Sequence, residues 1–317
     1  MNIKLLKYQY LSGWQDYPIT FKHYGFQGII DNLRNRSKIQ GLTKSSVNSG
    51  NSVANRTSIT HVNSYLRICE YAASDLEILN TFRRYAEYQI ILDHLSRRNG
   101  DLCLSQIISD AKIVENLVST SRLLPGSPLC YDYQELGAIS PTDIRYAKIL
   151  KDLTTLFSLE GIKNVVEIGV GYGGQAAQII NFMSLDSYTF VDLPEVLQLT
   201  EKVISNIESD TALNFQSPES LAPIKSDLLI SNYAFSELTK PIQEMYLEKI
   251  VRESQRGYMI YNHIHEKKDA AFSAFEIMKM IPGSKMLAEN PLTFEGNFLI
   301  VWGMDIELDE RRFSTII

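Results

Sequence analysis

The chain of 317 residues reads as an α/β protein, a mostly parallel sheet covered on both faces, preceded by a mainly helical N-terminal region. Three observations carry that reading. From about residue 160 onward, short apolar runs alternate with helix-period stretches, the pattern of βαβ units. One of those runs enters a glycine-rich turn that opens a helix. Before residue 120, apolar residues recur instead at steps of three and four. The expected division is a helical region at 1–120 and a ligand-binding α/β domain at 121–317.

Composition excludes several classes. Hydrophobic residues at 44% and charged residues at 21% describe a soluble globular chain and rule out collagen-like, disordered and disulfide-dense proteins. A net charge of −6 gives no general footprint for nucleic acid or for an anionic membrane surface. Cys69, Cys103 and Cys130 lie far apart with no CxxC, which fits reduced thiols in the cytoplasm. No apolar run approaches the roughly 18 residues of a membrane span. Lys4 and Lys7 precede no uninterrupted apolar stretch, so a secretory signal is not expected.

The elements follow in order. Residues 8–26 are rich in aromatics without a period, and residues 31–60 are polar and basic enough to read as a long loop. From Tyr65 to Ile90 the apolar period is helical, with a Ser74–Glu77 capping signature inside it. Arg97, Arg98 and Asn99-Gly100 read as a helix stop, cations followed by a residue tolerant of positive φ. Another helix carries Leu104, Ile107, Ala111, Val114 and Leu117. Ser140-Pro141-Thr142-Asp143 starts the next one, with Ser140 as cap and Pro141 at its first position. Strands are then expected at 164–168, 188–191, 227–231, 258–264 and 298–302. Helices are expected at 174–183, 194–208, 241–254 and 268–281.

The strand at 164–168 runs into Gly169-Val170-Gly171-Tyr172-Gly173-Gly174. Glycines at such a turn let a ligand approach the backbone. Gly169, Gly171 and Gly174 satisfy GxGxxG, a weak dinucleotide signal by itself. Glu167, two places before the first glycine, would repel a pyrophosphate. It suits a ligand that carries an ammonium group and a sulfonium, such as S-adenosylmethionine. Asp192 ends the second strand about 20 residues on, where a carboxylate accepts from ribose hydroxyls; it is also placed to cap the helix at Pro194. Asn232, Tyr233, Ser236 and Glu237 follow the strand at 227–231 and belong at the carboxyl edge that forms the ligand crevice.

The Glu167-x-Gly169-x-Gly171-x-Gly173 turn, Asp192-Leu193-Pro194 and the segment 229–238 resemble class I S-adenosylmethionine-dependent methyltransferases. Gly126-x-Pro128, Ser140-Pro141-Thr142 and Arg145-Tyr146 resemble, more narrowly, the bacterial sugar O-methyltransferases. The likeness spans about 125–303. It implies a Rossmann-like sheet of seven strands, the last, near 297–302, antiparallel beside a strand near 285–289. It implies cofactor contacts at Glu167, Gly169, Gly171 and Asp192, with Arg145 and Tyr146 in a pocket wall. Arg145 then holds the cofactor carboxylate or an acidic acceptor, unless it lies on a solvated helix face.

The expected chemistry is methyl transfer to a hydroxyl of a sugar or other glycan acceptor, within polysaccharide biosynthesis. Methylation of a phenol or another secondary metabolite, an NAD-dependent oxidation, and an inactive binding module stay open. A hydroxyl needs its proton removed as the new bond forms. The candidate bases are His263, Glu237 and His265, at the carboxyl ends of the fourth and fifth strands. A metal is disfavoured because the fourth strand ends in Ser231-Asn232 and not in a carboxylate. The helical N-terminal region offers a surface for a homodimer.

Overall fold

The computed structural model describes residues 63–89, 91–134, 136–262, 270–308 and 313–316. The aromatic segment at 8–26, the polar loop at 31–60, and His263 and His265 lie outside the described residues. Five helices open the described chain: α1 (Asn63–Ser74), α2 (Leu76–Leu79), α3 (Ala86–Gln89), α4 (Arg97–Ile107) and α5 (Ala111–Leu123). The break expected at Ser74 is there, but Asp75 makes the cap. Its carboxylate accepts from the N–H groups of Glu77 and Ile78 at 2.8 and 3.2 Å, while Ser74 Oγ donates back to the Glu70 carbonyl. The expected stop at Arg97–Gly100 is instead a start. Ser96 and Asn99 bond reciprocally and cap α4, and Gly100 lies inside the helix because a Cβ there would fall 2.0 Å from the Tyr133 hydroxyl.

A hairpin of β1 (Tyr131–Tyr133) and β2 (Gly137–Ile139) follows. Next comes α6 (Pro141–Leu156), capped by Ser140 with Pro141 at its start, as its sequence predicts. It is buried almost all round, and its Lys148 and Asp152 pair internally at 2.6 Å while Tyr258 donates to the same carboxylate at 2.8 Å. Apart from direct strand-to-strand steps within 212–232 and 285–302, the remaining elements alternate between strand and helix. They are β3 (Asn164–Ile168), α7 (Gly174–Phe182), β4 (Ser187–Val191), α8 (Pro194–Ile204), β5 (Ala212–Gln216) and β6 (Ser226–Asn232). Then come α9 (Lys240–Tyr246), continued by a π turn at Leu247–Val251, β7 (Ser254–Tyr261), α10 (Ala274–Met280), β8 (Lys285–Ala288) and β9 (Phe298–Trp302).

The seven strands hydrogen-bond in the order β5-β4-β3-β6-β7-β9-β8. All run parallel except β9, which lies antiparallel between β7 and β8. β5 was not expected from the sequence, because its residues are largely exposed at the sheet edge and make no apolar run. Alternation along the strands builds two cores. Val165, Tyr188, Phe190 and Ile230 face Leu150 and Leu153 of α6 and Ile179 of α7. Val166, Ile168, Leu229, Met259 and Ile300 face Ile250, Val251 and Ile277. Among the described residues no helix is long and apolar enough to cross a membrane.

Candidate functional site

Where β3 ends, the chain turns through Gly169 at φ +76° and Gly171 at φ +56°, a region open to glycine at little cost. Space forbids a side chain there as well. A Cβ on Gly169 would fall 1.9 Å from the Ala234 Cβ, and one on Gly171 would fall 2.8 Å from Leu92 Cδ1. Gly173 is the N-terminal cap of α7. Gly169 donates to the Val191 carbonyl at 2.9 Å, and Gly171 donates to Asp192 Oδ2 at 3.2 Å. The turn at β3 is thereby fastened to the end of β4, at the carboxyl edge of the sheet.

Two carboxyl groups flank this turn. Asp192 does not cap α8; Leu193 occupies that position. Asp192 accepts from the backbone of Gly171 at 3.2 Å and of Leu193 at 2.7 Å. Burial pushes its pKa up to about 6, against the pull of those N–H bonds. Glu167 is 1% exposed and accepts from the Tyr188 phenol at 2.6 Å. Its burial outweighs that bond and pushes it up to about 8, so at neutral pH it is mostly protonated. Of the pair, Asp192 carries the charge at pH 7.

Arg145 lies on the first turns of α6 and is 6% exposed, which removes the solvated-face alternative. Its guanidinium carbon is 5.5 Å from the ring centroids of both Tyr146 and Tyr233. Its Nε is sealed from water and has no hydrogen-bond partner, and no carboxylate pairs with it among the described residues. A buried guanidinium without a partner is costly. Such a fork suits a carboxylate delivered by a ligand. Asn232, at the end of β6, likewise keeps a buried Oδ1 without a donor. Glu237 stands one short turn further on and accepts from Asn262 Nδ2 at 2.8 Å. The carboxyl ends of β3, β4 and β6 thus gather Glu167, the glycines, Asp192, Asn232 and Glu237, with Arg145 on the helix beside them.

Other contributors come from residues that sequence reasoning passed over. The strap between α3 and α4 lays Leu92 against Gly171. Its Asp93 takes a bidentate pair of 2.8 Å bonds from Arg83. Arg83 also reaches Asp143 at 2.9 Å and covers the Tyr172 ring at 4.5 Å, while Tyr172 donates to Asp143 at 3.0 Å. His94 is exposed in area yet crowded enough that desolvation, and after it the Arg145 charge, lower its pKa to about 4. A separate depression of about 300 Å³, bordered by Ile180–Leu185 and Ser209–Thr211, lies at the opposite, amino ends of β4 and β5. It holds none of this chemistry.

No protein-family model matches the chain, and no curated protein matches it in sequence. Among solved structures it is similar to PhzM, a pyocyanin biosynthetic protein, at 12% identity and TM-score 0.38 over 50% of this chain and 56% of that one. It is also similar to an O-methyltransferase family protein from Burkholderia thailandensis, at 9% identity and TM-score 0.39, covering 52% and 57%. A third is a SAM-dependent methyltransferase from Aquifex aeolicus, at 16% identity and TM-score 0.36, covering 49% and 87%. The chain spans little more than half the length of the first two. Likeness at this level carries no argument about activity, and the architecture rests on the strand order itself.

Proposed function

We propose that this protein is an S-adenosylmethionine-dependent O-methyltransferase acting on a hydroxyl of a sugar or sugar-containing acceptor. The observation that carries the reading is the set of buried polar groups about the glycine turn. Two buried carboxyl groups, Glu167 and Asp192, belong to the strand ends at the turn, and Arg145, whose buried Nε has no hydrogen-bond partner, packs on Tyr233 at the end of β6. Asp192 accepts from the ribose hydroxyls. Arg145 takes the carboxylate of the amino-acid end, and Asn232 Oδ1 accepts from the ammonium. A dinucleotide fits less well, because a doubly wound sheet binds its second mononucleotide on a second set of parallel crossovers. Here the reversed β9 occupies that half.

The bound cofactor supplies an activated methyl group. The chain's own part is to align the acceptor hydroxyl, exclude water and remove a proton. Glu237, which accepts from Asn262, is one candidate to accept it, and His263 and His265, one and three positions after Asn262 in sequence, are the other two. A positioned base contributes about 10²–10⁴-fold. Expected outcomes for Glu237→Gln are a fall in turnover of that order and an unchanged affinity for S-adenosylhomocysteine. Titration calorimetry tests the reading as a whole: the purified protein binds S-adenosylhomocysteine. Stabilisation by NADH with no response to S-adenosylhomocysteine would overturn it.

A further inference from the structure

The geometry points to Tyr233 as a positioning residue that, tethered by Glu289, holds Arg145 ready for the carboxylate of the cofactor's amino-acid end. This inference rests on the methyltransferase reading above.

Tyr233 directly follows the last residue of β6 with φ +68°. A bulky residue in that left-handed region is strained, and it persists only where its surroundings over-determine it. They do so here. Its N–H donates to the Ile260 carbonyl at 2.8 Å. Its phenol donates to Glu289 Oε1 at 2.6 Å and touches the Thr293 hydroxyl at 3.1 Å.

Glu289 is itself fixed. It accepts from the Thr293 backbone at 2.9 Å, from the Thr293 hydroxyl at 2.7 Å and from Asn297 Nδ2 at 3.1 Å. With its oxygens so occupied, Glu289 forms no ion pair with Arg145 among the described residues, although it stands just beyond the Tyr233 ring. A direct bridge would have consumed the guanidinium donors. The Tyr233 phenol takes Glu289 instead, and the Tyr146 and Tyr233 ring centroids each lie 5.5 Å from the guanidinium carbon. A planar fork held in this way presents its N–H edge to a planar oxyanion.

The test compares two nucleosides that differ at one end, by calorimetry on the full chain. S-adenosylhomocysteine carries the amino-acid carboxylate and 5′-methylthioadenosine lacks it. The intact protein is expected to prefer the first by at least about tenfold, the weight of one charge-assisted hydrogen bond. Arg145→Gln lowers the preference about tenfold, leaving only what the ammonium contact at Asn232 supplies. Tyr233→Phe keeps the ring but frees it from Glu289, and lowers the preference at least about threefold with 5′-methylthioadenosine affinity unchanged. Glu289→Ala, which releases the phenol from the other side, gives the same fall. Glu289→Gln, which keeps an acceptor for the phenol, retains the preference. No preference in the intact protein, an unaltered ratio in Tyr233→Phe and Glu289→Ala, or an equal loss of both ligands would overturn the proposal. Failure of the intact protein to bind either nucleoside would overturn the methyltransferase reading instead.

Discussion

Glu167 is a carboxyl group that the fold keeps protonated. Its native pKa of about 8 lies above the ordinary value of 4.5, so the folded state binds a proton more tightly than the unfolded chain. The stability this gives is complete below about pH 4.5 and is lost as pH rises through about 8. The ligand-free protein should therefore melt at a lower temperature at pH 8 than at pH 5, and Glu167→Gln should flatten much of that slope; equal slopes in the two proteins would refute the assignment. Asp192, raised only to about 6, is mostly ionised at pH 7 and is the group proposed to take the ribose hydroxyls. Replacing it by Ala removes two charge-assisted bonds of at least about 1.5 kcal/mol each. The expected consequence is cofactor affinity roughly a hundredfold weaker, read by calorimetry. Unchanged affinity would place the pocket elsewhere. Glu167, mostly protonated at neutral pH, does not repel a pyrophosphate by charge, contrary to what its place in the sequence suggests; a residue's identity is legible in sequence, while its protonation is set by burial.

At the scale of elements, the glycine turn is crowded. Gly169→Ala adds a methyl group 1.9 Å from Ala234 as well as an unfavourable φ. Gly283→Ala shares the φ of +76° but meets nothing within 4 Å. Backbone strain of about 1–3 kcal/mol is common to both. Any further loss of stability in Gly169→Ala on urea unfolding measures the clash, and loss of cofactor binding is expected in that variant alone. Equal losses would mean the turn has room to yield. The parts of the fold legible in sequence were those governed by nearby residues: the buried runs of β3, β4, β6, β7 and β9, the Ser140-Pro141 start of α6, and the turn itself. What was not legible depended on distant partners. β5 has no apolar run to betray it. Asn99-Gly100 carries the chemistry of a helix end, yet Ser96 captures it as a beginning and Tyr133 fills the space a side chain would need. Glu289 gave no signal at all, since its role exists only through Tyr233, which lies in another part of the chain.

Across the whole molecule, one buried cation ties the helical region to the sheet. Arg83 holds Asp93 on the strap and Asp143 on α6, and it covers Tyr172 in the glycine turn. Removing one member of a buried ion cluster strands the others, at a cost of about 3–5 kcal/mol. Arg83→Ala is expected to lower stability by that amount in chemical unfolding and to weaken cofactor binding with it. A midpoint unmoved by the substitution would show that the apolar contacts of α1 and α8 suffice. The strap that Arg83 anchors also lays Leu92 on Gly171, at the turn assigned to the ligand. Any molecule that orders this turn must therefore order the strap, and by linkage a settled strap must tighten the molecule's grip. Amide hydrogens in α1 to α4, although remote from the ribose, should exchange more slowly when the pocket is filled, so that the helical region reports the occupancy of a site built mainly by the sheet.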